Sequence, residues 1–147
     1  MDDPKYDALK LEHQLCFPLY AASRQVIKGY RPYLDALDLT YTQYIAMMVL
    51  WEQATDSVRD LGKRLFLDSG TLTPVLKSLE GKGFVKRYRS TEDERVLLVE
   101  LTDRGRGLRE QALSVPAQVA GCIKLDTAEA VELHRLLYKV LSQMETE

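Results

Sequence analysis

Cys16 is the most reactive side chain in this sequence, and a tyrosine stands four residues after it. Residues four apart lie on the same face of a helix, so the Tyr20 hydroxyl could reach the sulfur. A phenol that donates a hydrogen bond to sulfur favours the thiolate, the nucleophilic form of cysteine. The neighbouring Leu15, Phe17 and Leu19 could accept an organic substrate. The pattern predicts a nucleophilic thiol, and the alternative is a small, inert core residue.

Tyr30 lies fourteen residues after Cys16 and returns to nearly the same angular face of a helix. At about 1.5 Å per residue, it is roughly 21 Å further along the helix axis. A continuous helix therefore keeps the two side chains of one chain apart. We predict that Tyr30 serves Cys16 only from the other subunit of a dimer.

Cys122 is the second of two cysteines and lies 106 positions after the first. This separation fits neither a CxxC redox pair nor the spacing of metal ligands. The N-terminal segment has no apolar leader, so we expect a cytoplasmic protein whose disulfides are transient. The longest apolar run, residues 44–51, is too short to cross a bilayer, and we expect no membrane contact.

Other residues that carry enzyme chemistry occur singly. His13 and His134 have no partner at metal-ligand spacing. The sequence contains no GxGxxG, Walker or GxSxG pattern. We therefore expect no metal, no cofactor and no enzyme activity.

Basic residues are concentrated in one segment, although the chain of 147 residues has a net charge of −2. Between residues 74 and 91, five basic residues stand against one acidic residue, a local charge of +4. The rest of the chain then carries −6. A basic patch on an acidic body is typical of a phosphate-contacting surface. The alternative is a solvated charged face.

Apolar spacing and capping residues predict a mainly α fold with six helices and one β-hairpin. The apolar repeat of the first helix starts near Leu9, and Pro18 either bends this helix or makes it begin later. The hairpin pairs residues 84–89 with residues 96–101. Pro116 interrupts or ends the fifth helix. The remaining helices have N-caps at Thr40, Ser57, Asp68, Thr102 and Asp126.

A short third helix, followed by a fourth with hydroxyl residues at its start, is typical of a helix-turn-helix. Hydroxyl groups at a helix N-terminus and cations on a hairpin can contact phosphates, base edges or the minor groove. The predicted DNA contacts are Ser69, Thr71, Thr73, Lys77, Lys86, Arg87, Arg89 and Arg95. A winged helix that serves only protein contacts is the alternative.

These segments resemble the MarR-type winged-helix regulators. The resemblance is carried by LTPVLKSLE at residues 72–80, GFV at 83–85, DER at 93–95 and LTDRG at 101–105. It implies a homodimer on a pseudo-palindromic operator, with a wing arginine, Arg95, in the minor groove and Asp93 positioning it. It also implies one domain over residues 1–147. Within that domain, residues 1–35 and 103–147 would dimerise and residues 40–101 would form the DNA-binding lobe.

The segment LEHQLCF at residues 11–17, together with Tyr20 and Tyr30, is similar to the organic hydroperoxide resistance branch of that family. The resemblance implies that the Cys16 thiolate attacks an organic hydroperoxide and becomes a sulfenic acid. The sulfenic acid then condenses with a second thiol, including a low-molecular-weight thiol, or with a backbone nitrogen. The dimer distorts and repression lifts. Cys122 would either form a disulfide with Cys16 of the other subunit or be an inert thiol.

Two further functions stay open at this point. The chain could be a MarR-type repressor released by a phenolic or lipophilic ligand, with Cys16 incidental. It could also be a thiol peroxidase, although the sequence has no CxxC pair to support repeated reduction.

Overall fold

In the computed structural model, which describes residues 3–144, two short 3-10 turns precede the first α-helix. They span Pro4–Leu9 and Leu11–His13, and helix α1 spans Cys16–Asp35. Helix α1 thus begins later than the apolar repeat, which starts near Leu9. This is one of the two outcomes predicted for Pro18, and the other was a bend in the helix. Pro18 lies in the first turn, where its missing N–H leaves no hydrogen bond unmade. Cys16 is consequently the first residue of α1.

The next three helices begin at the predicted caps. Helix α2 spans Tyr41–Gln53 and starts with a full capping box between Thr40 and Gln43. Helix α3 spans Val58–Leu65 and helix α4 spans Ser69–Gly81, each with a side-chain cap on its first turn. The helix-turn-helix expected from the sequence is therefore formed by α3 and α4.

The hairpin belongs to a three-stranded antiparallel sheet. Strands β2 (Val85–Arg89) and β3 (Leu97–Leu101) form the predicted wing, with Val85 opposite Leu101. Strand β1, Thr55–Ser57, pairs with the other edge of β3, so the order is β1-β3-β2. Strand β1 was not predicted, because three residues are too few to show an alternating pattern of apolar and polar side chains.

The C-terminal part has one more helix than predicted. Helix α5 spans Asp103–Ala112, α6 spans Val115–Ala120 and α7 spans Thr127–Gln143. Pro116 lies at the second position of α6, so the predicted fifth helix is divided in two. Residues 3–144 therefore contain seven α-helices instead of six. The predicted class, a mainly α winged helix-turn-helix fold, is confirmed.

The core lies in the winged-helix lobe, between α2, α3, α4 and the sheet. Burial of each leucine there stabilises the fold by about 2 kcal/mol. The largest fully buried side chains are Leu34, Met47, Leu50, Leu61, Leu72, Leu76, Leu79 and Val99. By contrast, α7 contains no buried residue, and neither does the N-terminal half of α1. No helix in the described part of the chain is long and apolar enough to cross a membrane.

Helix α5 is held close to the base of the wing at Gly105. A Cβ atom at this position would lie 2.0 Å from the Phe84 carbonyl oxygen, so only glycine fits. The indole Nε1 of Trp51 donates a hydrogen bond to the Gly105 carbonyl at 2.9 Å. Gly105 therefore joins α2, α5 and the wing into one unit.

Candidate functional site

The Cys16 thiol is exposed at the start of α1. Its neighbour Leu15 is 86% exposed, and Phe17 and Leu19 are 42% and 46% exposed. Among the described residues, the sulfur forms no hydrogen bond within the chain. A single chain therefore presents the thiol on an apolar surface that it does not cover.

Tyr20 forms no hydrogen bond with the thiol in the single chain. Its ring is 56% exposed, and its hydroxyl accepts a hydrogen bond from Arg24 Nη1 at 3.1 Å. The guanidinium carbon of Arg24 lies 5.5 Å from the centre of the Tyr20 ring. The phenolic proton of Tyr20 is left available to donate elsewhere.

Tyr30 belongs to a cluster of tyrosines between α1 and α2. Its ring centre lies 5.0 Å from that of Tyr41 and 5.8 Å from that of Tyr44. Burial raises the pKa of Tyr30, and it raises the pKa of Tyr41 as well. Both phenols therefore stay protonated at neutral pH and can donate hydrogen bonds. The contact of Tyr30 with Tyr41 and Tyr44 was not predicted from the sequence.

Cys122 lies beside the C-terminal end of α1, far from Cys16 of the same chain. Its Sγ is 3.8 Å from the Gln118 carbonyl oxygen, and its hydrogen bond with Tyr33 raises the pKa of that tyrosine. Tyr33 is 17 residues after Cys16 on α1. This offset corresponds to roughly 25 Å along the axis, whereas a disulfide needs Cα atoms about 4.4–6.8 Å apart. A disulfide between Cys16 and Cys122 must therefore join two chains.

The N-terminus of α4 presents hydroxyl groups to solvent. Asp68 accepts a hydrogen bond from the Thr71 backbone N–H at 2.7 Å, and this bond lowers the pKa of the carboxyl. Ser69, Thr71 and Lys77 are exposed. The Thr73 hydroxyl donates to the Ser69 carbonyl at 2.7 Å and is half-buried. Of the predicted contacts on α4, Thr73 is thus the one engaged inside the helix.

Two of the predicted cations on strand β2 form ion pairs within the fold. Lys86 Nζ lies 2.8 Å from Glu100 Oε2, and the pair raises the pKa of Lys86. Arg87 is only 17% exposed, and its Nη2 lies 3.2 Å from Glu80 Oε1. Glu80 is already counted in the local charge of +4, and Glu100, from outside residues 74–91, reduces that charge further.

Arg95 is the exposed cation at the tip of the wing, with a side chain that is 90% accessible. Its Nε and Nη2 donate to the two carboxylate oxygens of Asp93 at 3.1 and 3.2 Å. These bonds lower the pKa of Asp93. Arg89 donates to the Arg95 carbonyl at 3.5 Å and remains exposed. The arginine at the tip of the wing is thus oriented by two hydrogen bonds to Asp93.

Helix α3 contributes charge that the sequence analysis did not consider. Arg59 and Lys63 are exposed on this helix, next to the recognition helix, and form no ion pair among the described residues. Both residues lie outside residues 74–91, the segment in which basic residues were counted. Their position on the first helix of the predicted helix-turn-helix is the sequence signal that could have found them. Within residues 3–144, no group of three or more metal-ligating side chains is close enough to hold a metal ion.

Comparison with known proteins agrees with this geometry. The family model described as transcriptional regulator SarA/Rot matches residues 28–111. The organic hydroperoxide resistance transcriptional regulator of Bacillus subtilis is 46% identical over 95% of each chain. The chain belongs to the organic hydroperoxide resistance branch of the MarR-type regulators. The predicted family is confirmed, and this family member is a transcriptional regulator with a winged helix-turn-helix.

Solved structures of AbfR, a protein of Staphylococcus epidermidis, resemble this regulator to different degrees. Reduced AbfR bound to DNA is 34% identical, with 94% of each chain covered and a TM-score of 0.78. AbfR with its disulfide formed is also 34% identical, with 97% of this chain and 94% of that chain covered, and its TM-score is 0.59. The present fold is thus more similar to reduced, DNA-bound AbfR than to AbfR with its disulfide formed.

Proposed function

We propose that this regulator binds operator DNA as a homodimer and releases it when an organic hydroperoxide oxidises Cys16. The observation that carries the proposal is the exposed Cys16 thiol at the start of α1, amid apolar side chains that its own chain leaves uncovered. Membership of the hydroperoxide resistance branch supports the assignment of the oxidant.

The dimer is supported by the apolar surface of the terminal helices. A single chain leaves most of the apolar face of α7 in water, which is costly unless a second surface covers it. The exposed residues include Val131, Leu133, Leu136 and Val140. We assign residues 1–35 and 103–147 to dimerisation and residues 40–101 to DNA binding, within one domain of residues 1–147.

The proposed reaction transfers one oxygen atom to sulfur. The Cys16 thiolate attacks an oxygen of the hydroperoxide, an S–O bond forms and the O–O bond breaks. The thiol is oxidised to a sulfenic acid, and the peroxide is reduced to an alcohol, which takes up a proton as it leaves. Tyr20 of the same chain and Tyr30 of the partner subunit donate hydrogen bonds to the reacting atoms. The raised pKa of Tyr30 keeps this donor protonated.

Cys122 of the partner subunit is the proposed resolving thiol. Its sulfur attacks the sulfenic sulfur, a disulfide forms and water leaves. The distance between the two cysteines of one chain supports a bond between subunits. A low-molecular-weight thiol would give the same chemistry as a mixed disulfide. The lower TM-score of disulfide-formed AbfR supports a change of shape when such a bond forms.

The DNA contacts are proposed for α4 and the wing. Ser69, Thr71 and Lys77 are exposed on α4 and face the major groove. Arg95, held by Asp93, enters the minor groove beside Arg89. Lys86, Arg87 and Thr73 act mainly by holding these elements in place, because their polar groups are already paired.

The experiment is an operator-binding titration with and without cumene hydroperoxide. The operator is first selected from random duplexes by the reduced protein. Wild-type protein is expected to lose affinity after oxidation, whereas Cys16→Ser is expected to stay bound. If Cys16→Ser is still released by an inducer, the ligand-controlled alternative replaces the proposal. Repeated rather than stoichiometric consumption of peroxide would identify a thiol peroxidase instead.

The resolving step is tested by non-reducing electrophoresis after peroxide treatment. Wild type is expected to run as a covalent dimer, and Cys122→Ser is expected to run as a monomer that a sulfenic-acid probe labels. A wild-type monomer band that persists after complete oxidation of Cys16 would rule out the bond between subunits.

A further inference from the structure

Gln43 is the polar side chain that the fold buries most completely among residues 3–144, at 5% exposure. Its carbonyl oxygen accepts hydrogen bonds from the Thr40 backbone N–H and from Lys82 Nζ, each at 3.0 Å. Its amide nitrogen donates to Ser78 Oγ at 2.8 Å. The first contact stays within the capping box of α2, and the other two cross to the C-terminal end of α4.

Lys82 forms a second connection between the C-terminal end of α4 and the turn before α2. Its Nζ donates to the Asp38 carbonyl and lies 3.5 Å from the Asp38 carboxylate. Asp38 is in the turn that connects α1 with α2 and has a left-handed backbone, with φ of 56°. The end of α4 is therefore fastened to the α1–α2 turn as well as to the first turn of α2.

The first turn of α2 also holds the tyrosine cluster. Tyr41 and Tyr44, on either side of Gln43, contact Tyr30 of α1. A displacement of these rings must move the turn that carries Gln43. A buried amide without its partners is costly, so α4 follows this turn instead of leaving the hydrogen bonds unmade.

We propose that the hydrogen bonds of Gln43 with Ser78 and Lys82 couple the tyrosine cluster to the recognition helix α4. The inference rests on the proposed function, because it takes Tyr30 as part of the sensing site. In this role Gln43 is a positioning residue that contacts neither DNA nor peroxide. Without its bonds, oxidation of Cys16 still occurs but no longer reorients α4.

The test measures the ratio of the operator dissociation constants of the oxidised and reduced proteins. Ser78→Ala removes one hydroxyl from a half-buried site and leaves the rest of α4 intact. We expect this variant, and Gln43→Met, to lower the ratio about fivefold, the lower range of coupling between two sites. Thr42→Ala, in the same turn of α2, is the matched control and should keep the wild-type ratio.

Two readouts separate coupling from a structural role. A merely structural role weakens the reduced and oxidised proteins equally and leaves the ratio unchanged. The emission of Trp51, the only tryptophan, reports on α2 because its ring packs against Tyr44. The change in Trp51 emission on oxidation should persist in Ser78→Ala, while oxidation weakens operator binding less than it does in wild type.

Each outcome decides between the claims. If wild type shows a ratio of one, the proposed function is wrong and the coupling is wrong with it. If wild type shows a large ratio and both variants keep it, the coupling alone is overturned. Should Gln43→Met fail to fold, Ser78→Ala decides the question by itself.

Discussion

At the residue scale, Arg95 and Lys86 differ in how far their charged side chains extend into solvent. Arg95 extends into solvent and is oriented by the carboxylate of Asp93. Lys86 is paired with Glu100 along the body of the wing. Both cations have a carboxylate partner, but the side chain of Arg95 is 90% accessible and that of Lys86 is 61% accessible. Arg95, at the tip of the wing, is therefore better placed to approach a phosphate.

Arg95→Ala is therefore expected to weaken operator binding about tenfold and to reduce the slope of log affinity against log salt by about 1. Lys86→Ala is the matched control on the same hairpin and should change affinity much less. Fluorescence anisotropy titrations at several salt concentrations measure both quantities. Equal effects of the two variants would contradict the assignment of Arg95 as the wing contact.

Glu80 should make the stability of the protein depend on pH. Its hydrogen bond with Arg87 lowers the pKa of the carboxyl from the ordinary value of 4.5. A lowered folded-state pKa gives stability that is fully present above 4.5 and is lost as the pH falls through the lower folded value. Glu80→Gln should therefore destabilise the protein at neutral pH, with a deficit that shrinks on acidification.

Urea unfolding at a series of pH values measures this deficit. Glu110→Gln is the control, since Glu110 is exposed and forms no ion pair among the described residues. A deficit for Glu80→Gln that is independent of pH would mean that the pair with Arg87 does not stabilise the wing.

The sequence predicts residue types at the site better than it predicts their partners. Cys16, Tyr20 and Tyr30 stand out by spacing alone, because helical offsets depend only on local geometry. The pairing of Arg87 with Glu80, and the contact of Tyr30 with Tyr41, depend on how distant elements pack. Local patterns carry no information on such contacts.

Gly105 shows at the element scale how tightly α5 is packed against the wing. Its missing Cβ allows the Phe84 backbone to approach, and its carbonyl accepts the Trp51 indole N–H. Gly107 lies two residues further along α5, and a Cβ atom there would meet nothing within 4 Å. The two glycines differ only in this packing.

Gly105→Ala is expected to destabilise the fold by about 3 kcal/mol, because the added methyl group overlaps the Phe84 carbonyl. Gly107→Ala should be neutral or stabilising by up to about 1 kcal/mol, since alanine favours a helix. Chemical unfolding followed by Trp51 emission measures both. Similar stabilities for the two variants would show that α5 does not pack against the wing as described.

At the same scale, the helix starts were predictable, and so was the interruption of the fifth helix at Pro116, but strand β1 was not. Thr40, Ser57, Asp68, Thr102 and Asp126 all cap helices as expected, because a cap acts within its own turn. Strand β1 is stabilised by pairing with β3, and the segment that follows the interruption is a separate helix, α6, that packs against α1. Both features arise from tertiary contacts.

At the scale of the whole molecule, the terminal helices show why the proposed sensing site needs a second chain. α1 is continuous from Cys16 to Asp35, so it separates the thiol from Tyr30 and from Cys122 of the same chain. The apolar residues of α7 and of the N-terminal half of α1 are exposed in one chain and can pack against another surface. We therefore propose that each sensing site lies across the dimer, where oxidation can change the spacing of two recognition helices.

Mixed dimers test this central claim most directly. One subunit carries Cys16→Ser and the other carries Tyr30→Phe, each with its own affinity tag, and the rate of sulfenic-acid formation with cumene hydroperoxide is measured. Homodimers of Tyr30→Phe should react about fivefold more slowly than wild type, the cost of one lost hydrogen bond. In the mixed dimer, the one remaining Cys16 faces an intact Tyr30 of the partner, so it should react at the wild-type rate. A mixed dimer that reacts as slowly as the Tyr30→Phe homodimer would contradict a site shared between subunits.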